Sequence, residues 1–186
     1  MHISDDLILW ATLVLLIVLF LLVGQKAAPE GVKLKNDAGY KRPMLAFELN
    51  AGEAAQMFES WNDETKGKLR AALLWDYLFI FIYPATFATA CFIAARFLDG
   101  RGIIPFKYGL MVMLLQLAAA MLDAVENFAL LKILNDAPNK FLPAIAKWCA
   151  VTKFGFIVVG LIFAIIIGGG TWLILLVKNL FGERTV

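Results

Sequence analysis

Four apolar runs, at residues 7–24, 71–98, 106–134 and about 150–177, limit what this chain can become. A helix needs roughly 20 predominantly apolar residues to cross the hydrocarbon core of a bilayer. None of the runs alternates apolar with polar residues as a barrel strand does, and a helix satisfies its own backbone where no water can. Composition agrees: the 186 residues are 61% hydrophobic and 17% charged, against about 45–50% and about 25% in soluble domains. The expected fold is all-α, one membrane domain over residues 1–186 built as a transmembrane four-helix bundle. A formal charge of +2 and the lack of a basic cluster with interleaved aromatics exclude nucleic acid as a partner.

The first run is read as a retained span and not as a signal peptide. Residues 1–6 carry Asp5 and Asp6 and no Lys or Arg, whereas a signal peptide has a basic leader, a shorter apolar core and a small-residue cleavage site. Basic residues set the orientation. Residues 25–70 hold eight, and Lys132, Lys140 and Lys147 join them between the third and fourth runs. Arg96, Arg101, Lys107, Lys178 and Arg184 lie on the other side. Eleven against five predicts a cytoplasmic 25–70 segment and both termini outside.

Within 25–70 a loop is expected first, marked by Pro29, Gly31, Gly39 and Pro43. A short amphipathic helix follows at about 51–61. Asn50 and Glu53 have capping-box spacing, and Ala54, Met57, Phe58 and Trp61 form one apolar stripe at i, i+3, i+4 and i+7. Such a helix suits the cytoplasmic interface, where it gates or docks something or merely packs on the end of the bundle. Asn62 is placed to cap the second span, Pro84 to kink it, and Leu98–Gly102 to turn tightly into the third. Pro143 marks the first turn of the fourth, whose Gly155, Gly160 and Gly168–Gly170 read as a close-packing seam.

Cys91 and Cys149 fall at opposite depths, too far apart for a disulfide, and there is no CxxC. His2 is the only histidine, which removes bis-histidine haem and histidine-based metal sites. No metal site and no cofactor are expected.

Polar residues inside the apolar runs carry the remaining information. A charged side chain at the bilayer centre costs about 2.5–3.5 kcal/mol even on insertion scales, so it faces a partner or a cavity. Gln116, Ala119, Ala120, Asp123, Glu126 and Asn127 recur at three- and four-residue steps and share one face of the third span. Asp76, Tyr77 and Tyr83 come from the second, and Lys147 and Lys153 from the fourth, Lys153 near the inner end of its apolar part. Depth places these groups together in the cytoplasmic half. Lys153 is expected to face Asp123 and Glu126 and to hold at least one of them ionised. Three readings remain open: an ion-pair cluster that fixes helix register, a cavity for a polar ligand, lipid headgroup, proton or cation, and a catalytic site. The excess of acids favours positively charged guests over anions.

The patterns LAFELNAGEAAQMFESWN, LLWDYLFIFIYP and LDAVENFALL resemble those of small bacterial four-helix integral membrane proteins to which no activity is attached. That resemblance implies a bacterial inner membrane. DAVENFALL is also similar to the second-helix signature of the membrane-associated eicosanoid and glutathione metabolism family, with Glu126, Asn127 and Phe128 matching. Asp123 stands where that family has asparagine. The family's preceding arginine and following proline are missing, and the motif falls in the third span, so no glutathione site is carried over.

The expected function is non-catalytic: a multi-pass membrane protein that binds a ligand or assembles with lipids, other membrane subunits or copies of itself. No serine or histidine lies near the acids to complete a nucleophilic site. An enzyme acting on a lipid or other amphiphile, or a proton- or cation-coupled transport component, is the alternative.

Overall fold

A computed structural model describes residues 3–37, 51, 54–59, 61–135 and 141–181. Among these residues the chain is helical, with no strand. The elements are α1 (Ile3–Asp37), α2 (Ala54–Glu59), α3 (Asp63–Asp99), α4 (Phe106–Leu134), α5 (Leu142–Leu161), a π-helical segment (Ile162–Gly169) and α6 (Gly170–Phe181). The last three form one continuous rod. Four helices are long and apolar enough to cross a membrane: Asp6–Gln25, Asp63–Asp99, Phe106–Leu134 and Leu142–Leu180.

α3 is the central element. It packs against α1, α4 and the π segment, and α4 packs in turn against α5. α1 lies at the edge, with 6% of its most apolar stretch buried against 39% for α3. Aromatic contacts hold it there. Phe20 of α1 lies 4.9 Å from Phe79 and 6.0 Å from Phe87, both on α3.

Local signals place the helix ends. Asn62 accepts the amide of Thr65 at 2.8 Å, with Asp63 and Glu64 in the first turn, where carboxylates favour the positive end of the helix dipole. The turn between α3 and α4 closes through Gly102, whose φ of 67° a side chain would resist. Asp99 caps the next helix by accepting the amide of Phe106 at 2.9 Å.

One boundary differs from the sequence reading. The loop expected from residue 25 is helical instead, since α1 runs through Pro29 and Gly31 to Asp37. Ala, Lys, Glu and Leu dominate that stretch and favour helix, outweighing two poor formers. At 1.5 Å per residue α1 is about 52 Å long, well beyond a hydrocarbon core of roughly 30 Å. The fourth helix extends beyond its apolar run at both ends, from Leu142, with Pro143 in the first turn where the sequence places it, to Phe181. α3 passes through Pro84 without interruption.

α2 is a packing element. Ala51, Ala54 and Phe58 are buried in one cluster with Leu69 and Leu73 of α3, Leu130 and Ile133 of α4, and Ala146 of α5. Phe58 and Trp61 pack 5.1 Å apart. The proposed capping box of Asn50 and Glu53 lies outside the described residues, as do Gly39 and Pro43.

The glycines divide sharply. A Cβ on Gly109 of α4 would stand 2.1 Å from the Cβ of Ala95, and one on Gly168 would stand 2.7 Å from that of Ala94. Gly160 faces the Gln116 side chain, 2.4 Å from where its Cβ would be. These three let helices approach closely. Gly155 and Gly170 have nothing within 4 Å, so the expected seam is carried by Gly160 and Gly168 alone, with Gly109 added from α4.

Candidate functional site

The polar face of α4 meets α3 and α5 where the sequence places it. Asp123, Glu126 and Asn127, at i, i+3 and i+4, point to one side and are all buried. From α5, Lys153 enters between them and is itself buried. Its Nζ donates to Asp123 Oδ1 at 2.5 Å and stands 2.9 Å from Glu126 Oε2. A lysine at this position has the reach to extend toward a headgroup region. Here it turns inward and joins both carboxylates, as expected.

Asp76 completes the site from α3. Its Oδ2 accepts from Asn127 Nδ2 at 2.6 Å. Asp76 is half-buried, so the cluster reaches the exterior on this side while Glu126 has 0% exposure. Tyr83, two turns along α3, is buried, with its hydroxyl near Asp123. Tyr77 is half-buried next to Asp76.

Gln116 does not join this group. Its Nε2 donates to the backbone oxygen of Phe156 on α5 at 2.8 Å, and its side chain lies over Gly160. It is two turns from Asp123 along α4, about 10.5 Å at 1.5 Å per residue, so it shares the polar face but reaches a different level of α5. Lys147 is exposed and also stays out.

Other polar contacts had no clear sequence signal. Cys91 of α3 donates its thiol to the Gly160 carbonyl at 3.5 Å. Arg70 of α3 donates to Asn135 Oδ1, just past α4, at 2.7 Å. Arg70 reads as one more basic residue in a cytoplasmic segment, and nothing in its spacing points to position 135.

The chemistry of the cluster follows from its charges. With all groups ionised, Asp123, Glu126 and Lys153 carry a formal −1, and Asp76 adds another negative charge at the edge. Burial of uncompensated charge is costly, so the site favours positive charge over any anion. Among the described residues no group of three or more His, Cys, Asp or Glu is placed to hold a metal ion, and the Lys153 ammonium occupies the space between the two buried acids.

No protein-family model, curated protein or solved structure matches this chain.

Proposed function

We propose that this chain is a multi-pass membrane protein, a four-helix bundle with both termini outside, that works by binding and assembly and not by catalysis. The observation that carries this reading is the closed Asp123–Lys153–Glu126 contact. A general acid or base has to come within about 2.6–3.2 Å of the atom it serves. Glu126 has no exposed surface, and Lys153 already engages both acids. The cluster thus acts as an interhelical lock between α4 and α5, extended to α3 through Asn127 and Asp76. Exposed apolar side chains such as Phe81, Met121 and Phe128 supply faces for lipid, another subunit or a second copy.

Dicyclohexylcarbodiimide, an apolar reagent for protonated carboxyls, tests the lock in bilayer-embedded protein. Peptide mapping is expected to find Asp76 modified and Asp123 and Glu126 unmodified. Modification of Glu126 in the folded protein at neutral pH would show an open site and favour the enzyme reading. Orientation is tested by Lys35→Cys and Gly100→Cys with an impermeant maleimide applied from outside, which should label position 100 alone.

A second reading has one observation in its favour. Asp76 gives the acidic cluster a half-buried edge, the arrangement a proton or cation entering from the cytoplasmic side would need. Reaction of both Asp76 and Asp123 with the carbodiimide, with Glu126 protected, would favour it.

A further inference from the structure

At the opposite end of the molecule from the lock, α1, α3, the π segment and the start of α6 enclose a groove. Its inner part has a volume of about 360 Å³ and is walled by Trp10, Leu13, Ile93, Ala164, Gly169 and Trp172, with no charged side chain among the lining residues. A second cavity of about 460 Å³ continues it and shares Trp10, Ile93 and Phe97 with the first. Here the lining changes character: Asp6, Arg96 and Arg101 stand at its mouth.

The two cavities are ordered in depth. Asp6 begins the apolar stretch of α1, and Arg96 lies in the last turn of α3. Arg101 is in the turn beyond, its guanidinium 3.9 Å from the centroid of the Phe97 ring. The charged cavity is thus at the end of the spans and the apolar one lies a layer deeper. Arg96 lies 3.5 Å from Asp6, and among the residues that line this cavity two arginines stand against one aspartate. Asp99 accepts the amide of Phe106 at 2.9 Å and is not among the residues that line this cavity.

The geometry points to a binding site for one anionic phospholipid of the surrounding bilayer, with an acyl chain in the groove and its phosphate at Arg96 and Arg101. A transmembrane helix, about 10–12 Å across with its side chains, is too wide for the inner cavity, whereas a single methylene chain fits. Arginine is suited to phosphate because its planar fork presents paired donors. Gly169 keeps the floor of the groove open. A Cβ there would meet only the Ala164 carbonyl, at 3.9 Å, so a larger side chain at 169 would grow into the space without displacing a helix.

This site rests on the membrane-spanning reading and not on the orientation of the termini. The test is native mass spectrometry of the full chain, purified in detergent with equal amounts of phosphatidylglycerol and phosphatidylcholine of identical acyl chains. Phosphatidylglycerol should be retained preferentially. Arg96→Gln and Arg101→Gln should each lower that preference by about fivefold, the equivalent of about 1 kcal/mol per basic side chain at a lipid surface. Asp6→Asn removes the competing acid and should raise the preference, a direction that general loss of structure would not produce. Gly169→Leu should lower retention of both lipids. Equal retention of the two lipids by the unaltered protein, or a preference unchanged in both arginine variants, would overturn the site while leaving the membrane bundle intact. Release of the protein from membranes by alkaline carbonate without detergent would overturn both.

Discussion

Two levels of α4 are held against its neighbours by opposite means. Around Asp123, α4 meets α5 through long side chains whose charges find each other across the gap. Around Gly109, α4 meets α3 with almost no side chain between them, since even one carbon on Gly109 would overlap Ala95. The first contact depends on a matched set of charges, and removing one member leaves the others buried and uncompensated. The second depends on the absence of atoms. A polar contact of the first kind is repairable by changing its members together, whereas a close approach is repairable only by removing an atom from the facing helix.

The largest effect should come from Lys153→Met. Removing one partner of a buried ion pair costs about 3–5 kcal/mol, and this lysine serves two carboxylates. Thermal stability in detergent should fall steeply, and the double variant Lys153→Met with Glu126→Gln should recover part of the loss. Strict additivity of the two single changes would mean that the contact contributes no coupling energy, and the contrast between the two levels would collapse.

Gly109→Ala comes next, with an expected loss of about 1–3 kcal/mol from overpacking. The added carbon meets the Ala95 Cβ, its backbone Cα at 3.1 Å and the Phe163 ring at 3.1 Å, so a helix has to move. Ala95→Gly in the same molecule should restore much of the stability, measured in the same melts. A tolerated Gly109→Ala would show that α3 and α4 are less tightly held than their close approach implies.

The smallest effects sharpen the comparison within α5. At Gly160 the obstacle is the end of the Gln116 side chain and not backbone. Gly160→Ala should therefore cost about what the displaced interhelical hydrogen bond is worth, averaging about 0.6 kcal/mol in a measured membrane protein. Gly155→Ala, with open space around it, should be neutral or mildly stabilising. If both substitutions behave alike, the Gln116–Gly160 contact does not tie α4 to α5.

Much of this arrangement is legible from the residues alone, for a physical reason that is local. Run length and apolarity fix which segments are long enough to span. The side-chain acceptor of Asn62 fixes where α3 begins, and the three- and four-residue steps of Asp123, Glu126 and Asn127 fix that they share a face. Each is a property of one helix and follows from its own geometry. The length of α1 escaped the same logic because Pro29 and Gly31 signal a break that the surrounding helix formers outweigh.

The tertiary structure decided how the faces meet. That Lys153 engages both acids, that Gln116 leaves the polar cluster for the Phe156 carbonyl, and that only Gly160 and Gly168 of the α5–π–α6 glycines pack closely depend on the rotation and axial offset of neighbouring helices. So does the groove in which Arg96 and Arg101, two basic residues at the edge of the apolar runs, come to stand above a cavity floored by Gly169. Periodicity along one helix contains no information about its offset against the next. Packing across three or four helices sets that offset, because volume and buried charge have to be satisfied between chain segments far apart in sequence.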